Sequence, residues 1–290
     1  MKVTEFIDLH VHIGPEVLPR KYTVNKIINK QKGKIRGMAL KNHFYPTLPL
    51  IESEETRDES DLILLGSVTL NNYIGGLNPD AIYASAKLSK RPIIVWFPTI
   101  NADNFLKRSK YEIPPEWVGG NFKSRLSDEI KGINIMDDKM NLIEDAKKVL
   151  KAIKDNNCIL ATGHVSSEEA RILVIEANKL GIKKIIVTHP IYQQIDMPIE
   201  IQKELASYDG VYIEQNYAMY AIDKIPIERI VQQINAIGAE KCILSSDVGQ
   251  INSPSPSEAL EEFTELLEVQ GISVEDLRTM GEINPRKLIE

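Results

Sequence analysis

His10 and His12 lie two residues apart at the end of the apolar run Phe6-Ile-Asp-Leu-His-Val-His12. The alternation of a β-strand projects residues at that spacing from one face, so the two imidazoles form a chelating pair. The other three histidines also fall at or just after the ends of apolar runs. His43 lies in the run 35–44, His164 closes Cys158-Ile-Leu-Ala-Thr-Gly, and His189 closes Ile185-Ile-Val-Thr. A further run, Cys242-Ile-Leu-Ser-Ser-Asp247, ends on a carboxylate instead. If the strand ends converge, His10, His12, His164, His189 and Asp247 surround one point. Imidazole and carboxylate donors suit Zn²⁺, and Mn²⁺, Fe²⁺ and Co²⁺ accept the same set. A divalent ion held by three or four such ligands, with one position open, lowers the pKa of a bound water to about 7. Hydrolysis is the natural use of such a centre.

Strand ends converge in a parallel barrel, whose site is assembled at the C-terminal face from several strands. Strand-like runs recur at residues 5–12, 35–44, 62–70, 92–99, 158–163, 183–189, 210–216 and 241–246, with helical patterns between most of them. Ser166 with Glu169 fits a capping box ahead of one helix that Gly181 ends, and Ser255-Pro256-Ser257-Glu258 opens another that stops at Gly271. This alternation predicts an α/β fold with a parallel sheet covered on its faces. A doubly wound open sheet gives the same string of elements, but the number of units and the ligand-type residues from first strand to last favour a closed (β/α)8 TIM barrel. No Gly-rich phosphate loop of a common pattern is present. Residues 1–290 are read as one barrel domain. Its rhythm breaks once, in a long insertion after strand 4 at about 101–141, which contains Pro114-Pro115, Trp117 and Gly119-Gly120. A segment that follows a strand C-terminus emerges on the site face, and this one is expected to form a lid or pocket wall.

The formal charge of −6, from 41 acidic and 35 basic residues without a dense Lys/Arg block, argues against a nucleic-acid surface and for a small-molecule substrate. Cys158 and Cys242 each open a predicted strand, which suggests buried residues rather than a disulfide framework or a thiolate site. No apolar stretch approaches membrane-spanning length and no signal segment precedes the first strand, so no membrane partner is expected and a cytoplasmic location is. A homo-oligomer is compatible with these features.

In order and spacing, His-x-His after the first strand, His after the fifth, His after the sixth and Asp after the eighth resemble the amidohydrolase superfamily of metal-dependent (β/α)8-barrel hydrolases. The stretch Val274–Leu288 also resembles the helix and Asn-Pro turn that often closes such chains. The resemblance spans nearly the whole sequence. It implies His10, His12 and His164 as metal ligands, His189 as ligand to a second ion or as a polarising group, and Asp247 as ligand and proton shuttle, with one or two ions, Zn²⁺ foremost. Binuclear members carry Lys or Glu after the fourth strand, whereas here that strand reads Ile93-Ile-Val-Trp-Phe-Pro-Thr-Ile. Lys41 and His43 share a face at the end of the second strand and join Asp247 and His189 as catalytic candidates. They would bind an anionic substrate group, or Lys41 would carry a carbamate; a lysine paired with a neighbouring acid and a loop histidine is the equal alternative. Glu214 and Asn216, in phase on the seventh strand, are weaker candidates, and Arg20 and Tyr192 weaker still. Asp8 is expected to support the barrel interior or orient a ligand histidine. The leading expectation is hydrolysis of a C–N or C–O bond in an amide, lactam, lactone or imine. Non-oxidative decarboxylation, phosphoester hydrolysis and a metal-stabilised binding protein are the competing ones.

Overall fold

The computed structural model describes residues 1–53, 62–118 and 122–290. Gly119 and Gly120 of the expected insertion lie outside the described residues. Among those described, nine short strands follow in chain order: β1 (Ile7–His12), β2 (Gly37–Lys41), β3 (Ile63–Leu65), β4 (Ser67–Thr69), β5 (Ile94–Trp96), β6 (Ile159–Ala161), β7 (Ile185–Val187), β8 (Val211–Asn216) and β9 (Cys242–Ser245). Each pairs in parallel with its neighbour in sequence, except at one joint. β3 pairs only with β2, and β4 only with β5, because they are halves of one strand parted at Gly66. The Gly66 carbonyl still accepts the Ile94 N–H at 3.1 Å, which carries the ring across the joint. A side chain at Gly66 would meet the Leu48 methyl groups at 2.4–2.5 Å, so Leu48 would have to move to admit one.

The eight barrel strands form a (β/α)8 ring. β1 and β9 do not pair as strands; the ring is completed just beyond β9, where Asp247 N–H donates to the His10 carbonyl and His12 N–H to the Val248 carbonyl, both at 2.8 Å. Helices cover the outside. In Glu144–Asp155, Ala146, Val149, Leu150 and Ile153 repeat at helical spacing and are buried, while lysines take the solvent face. The box at the start of Ser167–Lys179 forms as expected: Ser166 N–H donates to Glu169 Oε2 at 2.7 Å and Glu169 N–H to Ser166 Oγ at 3.2 Å. Pro256–Val269 likewise starts with the Glu258 carboxylate on the Ser255 N–H at 2.9 Å. Cys158 and Cys242 are free and buried.

Ile7, Leu9, Ala39, Trp96, Tyr212 and Ile243 belong to an apolar layer inside the ring, whereas Val11, Met38 and Leu40 belong to the layer under the helices. The phase of β1 therefore changes along its length. A register shift between Asp8 and Val11 accounts for it, turning His10 and His12 into the interior after Leu9. The C-terminal helix Asn284–Ile289 places Leu288 and Ile289 in this interior layer, and its Asn284 side chain donates to the Ala239 and Cys242 carbonyls at 2.9 and 2.8 Å.

Candidate metal centre and active site

The strand ends deliver a buried cluster of titratable groups. His10 is its best-determined member. Its Nδ1 lies 3.0 Å from Glu214 Oε1, and a carboxylate there can only accept, so the proton sits on Nδ1 and the Nε2 lone pair faces the interior. Nε2 is 3.0 Å from Asp247 Oδ1 and 2.9 Å from Lys41 Nζ. Asp247 Oδ1 also lies 2.9 Å from His12 Nε2, its Oδ2 accepts from Asn216 Nδ2 at 3.3 Å, and His189 Nε2 is 3.9 Å from Oδ2. Glu214 is held from below by Ser245 Oγ at 2.7 Å, and its second oxygen takes the His189 N–H at 3.0 Å. This is a carboxylate that orients one imidazole by its ring and another by its backbone.

Two triads bring donor atoms within 4.8 Å of one another, His10 with His12 and Asp247, and His10 with His189 and Glu214. His164 lies in neither. The chain turns at Gly163 (φ +67°), where a Cβ would stand 2.2 Å from the Phe97 carbonyl oxygen, and the His164 ring packs beside His189 (5.1 Å between centroids), Phe105 (5.1 Å) and Tyr192 (5.6 Å). It lines the same pocket from the side. Glu214, a weaker candidate from sequence, is instead at the centre. Asp8 stands beneath, its Oδ1 accepting from the backbone N–H groups of His10 (3.2 Å) and Ser246 (3.0 Å), which matches the supporting role expected of it.

Burial sets the protonation of the cluster. It pushes His10, His12, His43 and His164 well below the ordinary imidazole range, with the Lys41 and Arg20 charges or neighbouring imidazoles adding to the effect, and takes His189 down to about 3. Neutral imidazoles are the form that binds metal. Burial also brings the Lys41 ammonium down to about 8 against the pull of Asp247 and Glu214, and pushes Asp8 up to about 7. The fit to a cation is supported by two atoms without partners: the Nδ1 atoms of His164 and His189 are sealed from solvent and make no hydrogen bond among the described residues.

Lys41 and His43 line the same pocket. The Lys41 ammonium lies 4.1 Å from the centre of the Trp96 ring, and Trp96 in turn is 4.4 Å from the His10 ring, so the end of β5 contributes an aromatic floor where no Lys or Glu stands. His43 packs 4.7 Å from His12 and its Nδ1 meets Thr99 Oγ1 at 2.9 Å. Trp117, from the long segment after β5, stacks on His43 at 6.0 Å and meets His164 edge-on at 6.0 Å. Arg20 and Tyr192 line the pocket as well. Glu16, which no sequence pattern singles out, binds Arg20 and accepts the His43 N–H at 2.9 Å. Its only signal was a position four before Arg20 in a segment that is not helical. His189 (φ +20°) and Asp247 (φ +54°) have backbones rarely adopted by residues with a side chain, strain of the kind that collects at functional sites.

Residues 5–214 match DUF6282, a family of unknown function. The chain belongs to that family. No curated protein matches this DUF6282 chain. Among solved structures it is similar to an amidohydrolase from Pseudomonas aeruginosa (10% identity, TM-score 0.61, covering 98% of this chain and 95% of the other). It is also similar to a dihydroorotase from Campylobacter jejuni (15%, 0.55, 99% and 84%) and to a protein from Pseudomonas putida described as a 2-pyrone-4,6-dicarboxylic acid hydrolase (14%, 0.56, 99% and 98%). At these identities the likeness is one of fold alone: this DUF6282 chain shares the α/β barrel of these structures. No helix among the described residues is long and apolar enough to cross a membrane.

Proposed function

We propose that this chain is a metal-dependent hydrolase that cleaves a C–N or C–O bond of a small molecule. The observation that carries the reading is His10: a carboxylate fixes its outer nitrogen, and its inner nitrogen faces Asp247 and the His12–Asp247 pair within one buried cluster. His10, His12, Asp247 and His189 would hold the ion, with His164 beside them, and Zn²⁺ suits the donor set. When bound, the ion supplies Lewis acidity and a water that ionises near neutral pH. The remaining chemistry belongs to the chain. Asp247 is buried at the centre with both oxygens directed among the imidazoles, which suits it to take a proton from the attacking water and return it to the leaving group. Lys41 offers a cation to charge that develops on the substrate oxygen.

The amidohydrolase fold of its structural neighbours agrees with this reading. Non-oxidative decarboxylation is the second reading, favoured by one observation: β5 ends in Trp96 rather than a bridging Lys or Glu, which suits a single ion. Elemental analysis of the purified protein and assay of the Zn²⁺-loaded form against amides, lactones and aromatic acids test both. Bound metal with hydrolysis of an amide or lactone is the expected result. Carbon dioxide release without hydrolysis would transfer the chain to the decarboxylase reading, and absence of stoichiometric metal would overturn both.

A further inference from the structure

Beyond the metal-ligand cluster, the pocket contains a fixed cation that hydrolysis does not itself require. Arg20 follows β1 in a loop whose backbone bridges to Gln250, just past Asp247. Its side chain is 2% exposed, yet it lines the pocket. Burying a guanidinium is costly unless it is paired, and Glu16 supplies the pairing through Arg20 Nε. Glu16 is itself committed on both oxygens, one to Arg20 and one to the His43 N–H. Arg20 is therefore held in one orientation by a partner that cannot turn away.

What remains of the guanidinium faces inward. Nη2 approaches His12 Nδ1 at 3.1 Å, and Nη1 has no acceptor among the described residues, nor is it sealed from the pocket. A guanidinium carries five N–H donors in a planar fork that matches a carboxylate. Ala218, Met219, Ile222 and Trp117 line the same pocket, together with Asp223 and Gln250. One imidazole, His12, separates Arg20 from Asp247, with Nδ1 on the arginine and Nε2 on the carboxylate. A group held by Arg20 thus lies only a few bonds from an atom reacting at Asp247.

Resting on the hydrolase reading, the geometry points to Arg20 as the anchor for a substrate carboxylate. The substrate class is a short carboxylic acid, an N-acyl or lactone acid, whose scissile carbonyl lies a few bonds from the acid group. Glu16 is the positioning residue that holds the anchor. Arg20 recognises the substrate and does not transfer a proton.

Binding tests this apart from turnover. Succinate and glutarate, with their diamides as neutral controls, are titrated into the Zn²⁺-loaded protein by calorimetry. The wild type should prefer acid over diamide by at least about tenfold, the lower end for a hydrogen bond to a charged group. The preference should vanish in Arg20→Met combined with Glu16→Gln, which leaves no orphaned buried carboxylate, and persist in part in Arg20→Lys; metal content and melting temperature of each variant are measured alongside. Equal affinity for acid and diamide in the wild type, or an acid preference that survives the double variant with metal content intact, overturns the proposal. Acid preference that depends on Arg20 without hydrolysis of any acyl or lactone acid would leave the anchor standing and remove the hydrolase reading. Hydrolysis of neutral esters with no preference for acids would do the reverse.

Discussion

At the scale of single residues, the cluster separates groups that bind from groups that orient. Glu214 touches His10 through its ring and His189 through its backbone, so its loss should loosen the centre without removing a ligand atom. Glu214→Gln presents an N–H₂ group to one of these donors, and affinity for Zn²⁺, measured by competition with a chelator, should fall by about 10–100-fold. Unchanged affinity would show that His10 needs no orienting partner. Asp247→Asn should separate binding from turnover. Asparagine keeps one oxygen for the ion but cannot carry a proton, so metal should be largely retained while activity on the substrate drops by on the order of 10²–10⁴-fold. Near-normal rates in a metal-loaded Asp247→Asn protein would refute the proton-shuttle role. The positions of His10, His12, Lys41, His43, His189 and Asp247 were legible because they stand at or near the ends of apolar runs. Glu214 was legible only in phase, since a glutamate within a strand reads equally as a solvent-facing residue until burial is known. Glu16 carried no usable signal, because its partners are Arg20 in its own loop and His43 just past β2.

At the scale of elements, the helix starts obeyed local chemistry and the strands obeyed the ring. Ser255 and Glu258 illustrate the first. The Ser255 backbone N–H and then the Lys30 ammonium hold the Glu258 carboxyl down to about 2, below its ordinary 4.5. A carboxyl depressed in the folded state stabilises above its unfolded pKa, and the contribution fades as pH falls through the folded value. Glu258→Gln should therefore lower the urea midpoint at neutral pH, with the gap to wild type narrowing from about pH 4.5 down towards about pH 2. A gap that stays constant across that range would mean that the capping geometry, rather than the charge, matters. The strands show where sequence patterns stop. The run at 62–70 reads as one strand but is broken at Gly66, which packs directly against the Leu48 side chain. The phase change in β1 is likewise invisible in a pattern of alternating residues, because a register shift depends on the partner strand. His164 reaches the pocket through a left-handed turn at Gly163, where a Cβ would meet the Phe97 carbonyl, a contact between two strands that no single run contains.

At the scale of the whole molecule, the ring must be sealed at the end opposite the site if its interior is to stay dry enough to hold neutral imidazoles and a lysine brought down to about 8. The aromatic floor at Trp96 lies above an apolar layer that includes Ile7, Leu9 and Ile243, and that layer is completed by Leu288 and Ile289 from the last helix. The Asn284 side chain fastens this helix to the carbonyls of Ala239 and Cys242, at the entry to β9, whose far end carries Asp247. The C-terminal helix is thus coupled to the site through one strand and one packed layer. Leu288→Ala should cost about 2–5 kcal/mol of stability, the range for emptying a buried leucine site, because Leu288 is 1% exposed and surrounded by strands that cannot close over the gap. The loss is expected in chemical denaturation as a lowered midpoint with an unchanged slope, since the folded and unfolded states expose the same surface otherwise. Zn²⁺ stoichiometry in the folded variant should remain that of the wild type, because none of the donor atoms touches Leu288. A variant that unfolds at the wild-type midpoint would show that the helix lies on the barrel without sealing it, and a folded variant that loses its metal would show that the end of the barrel and its mouth form a single mechanical unit.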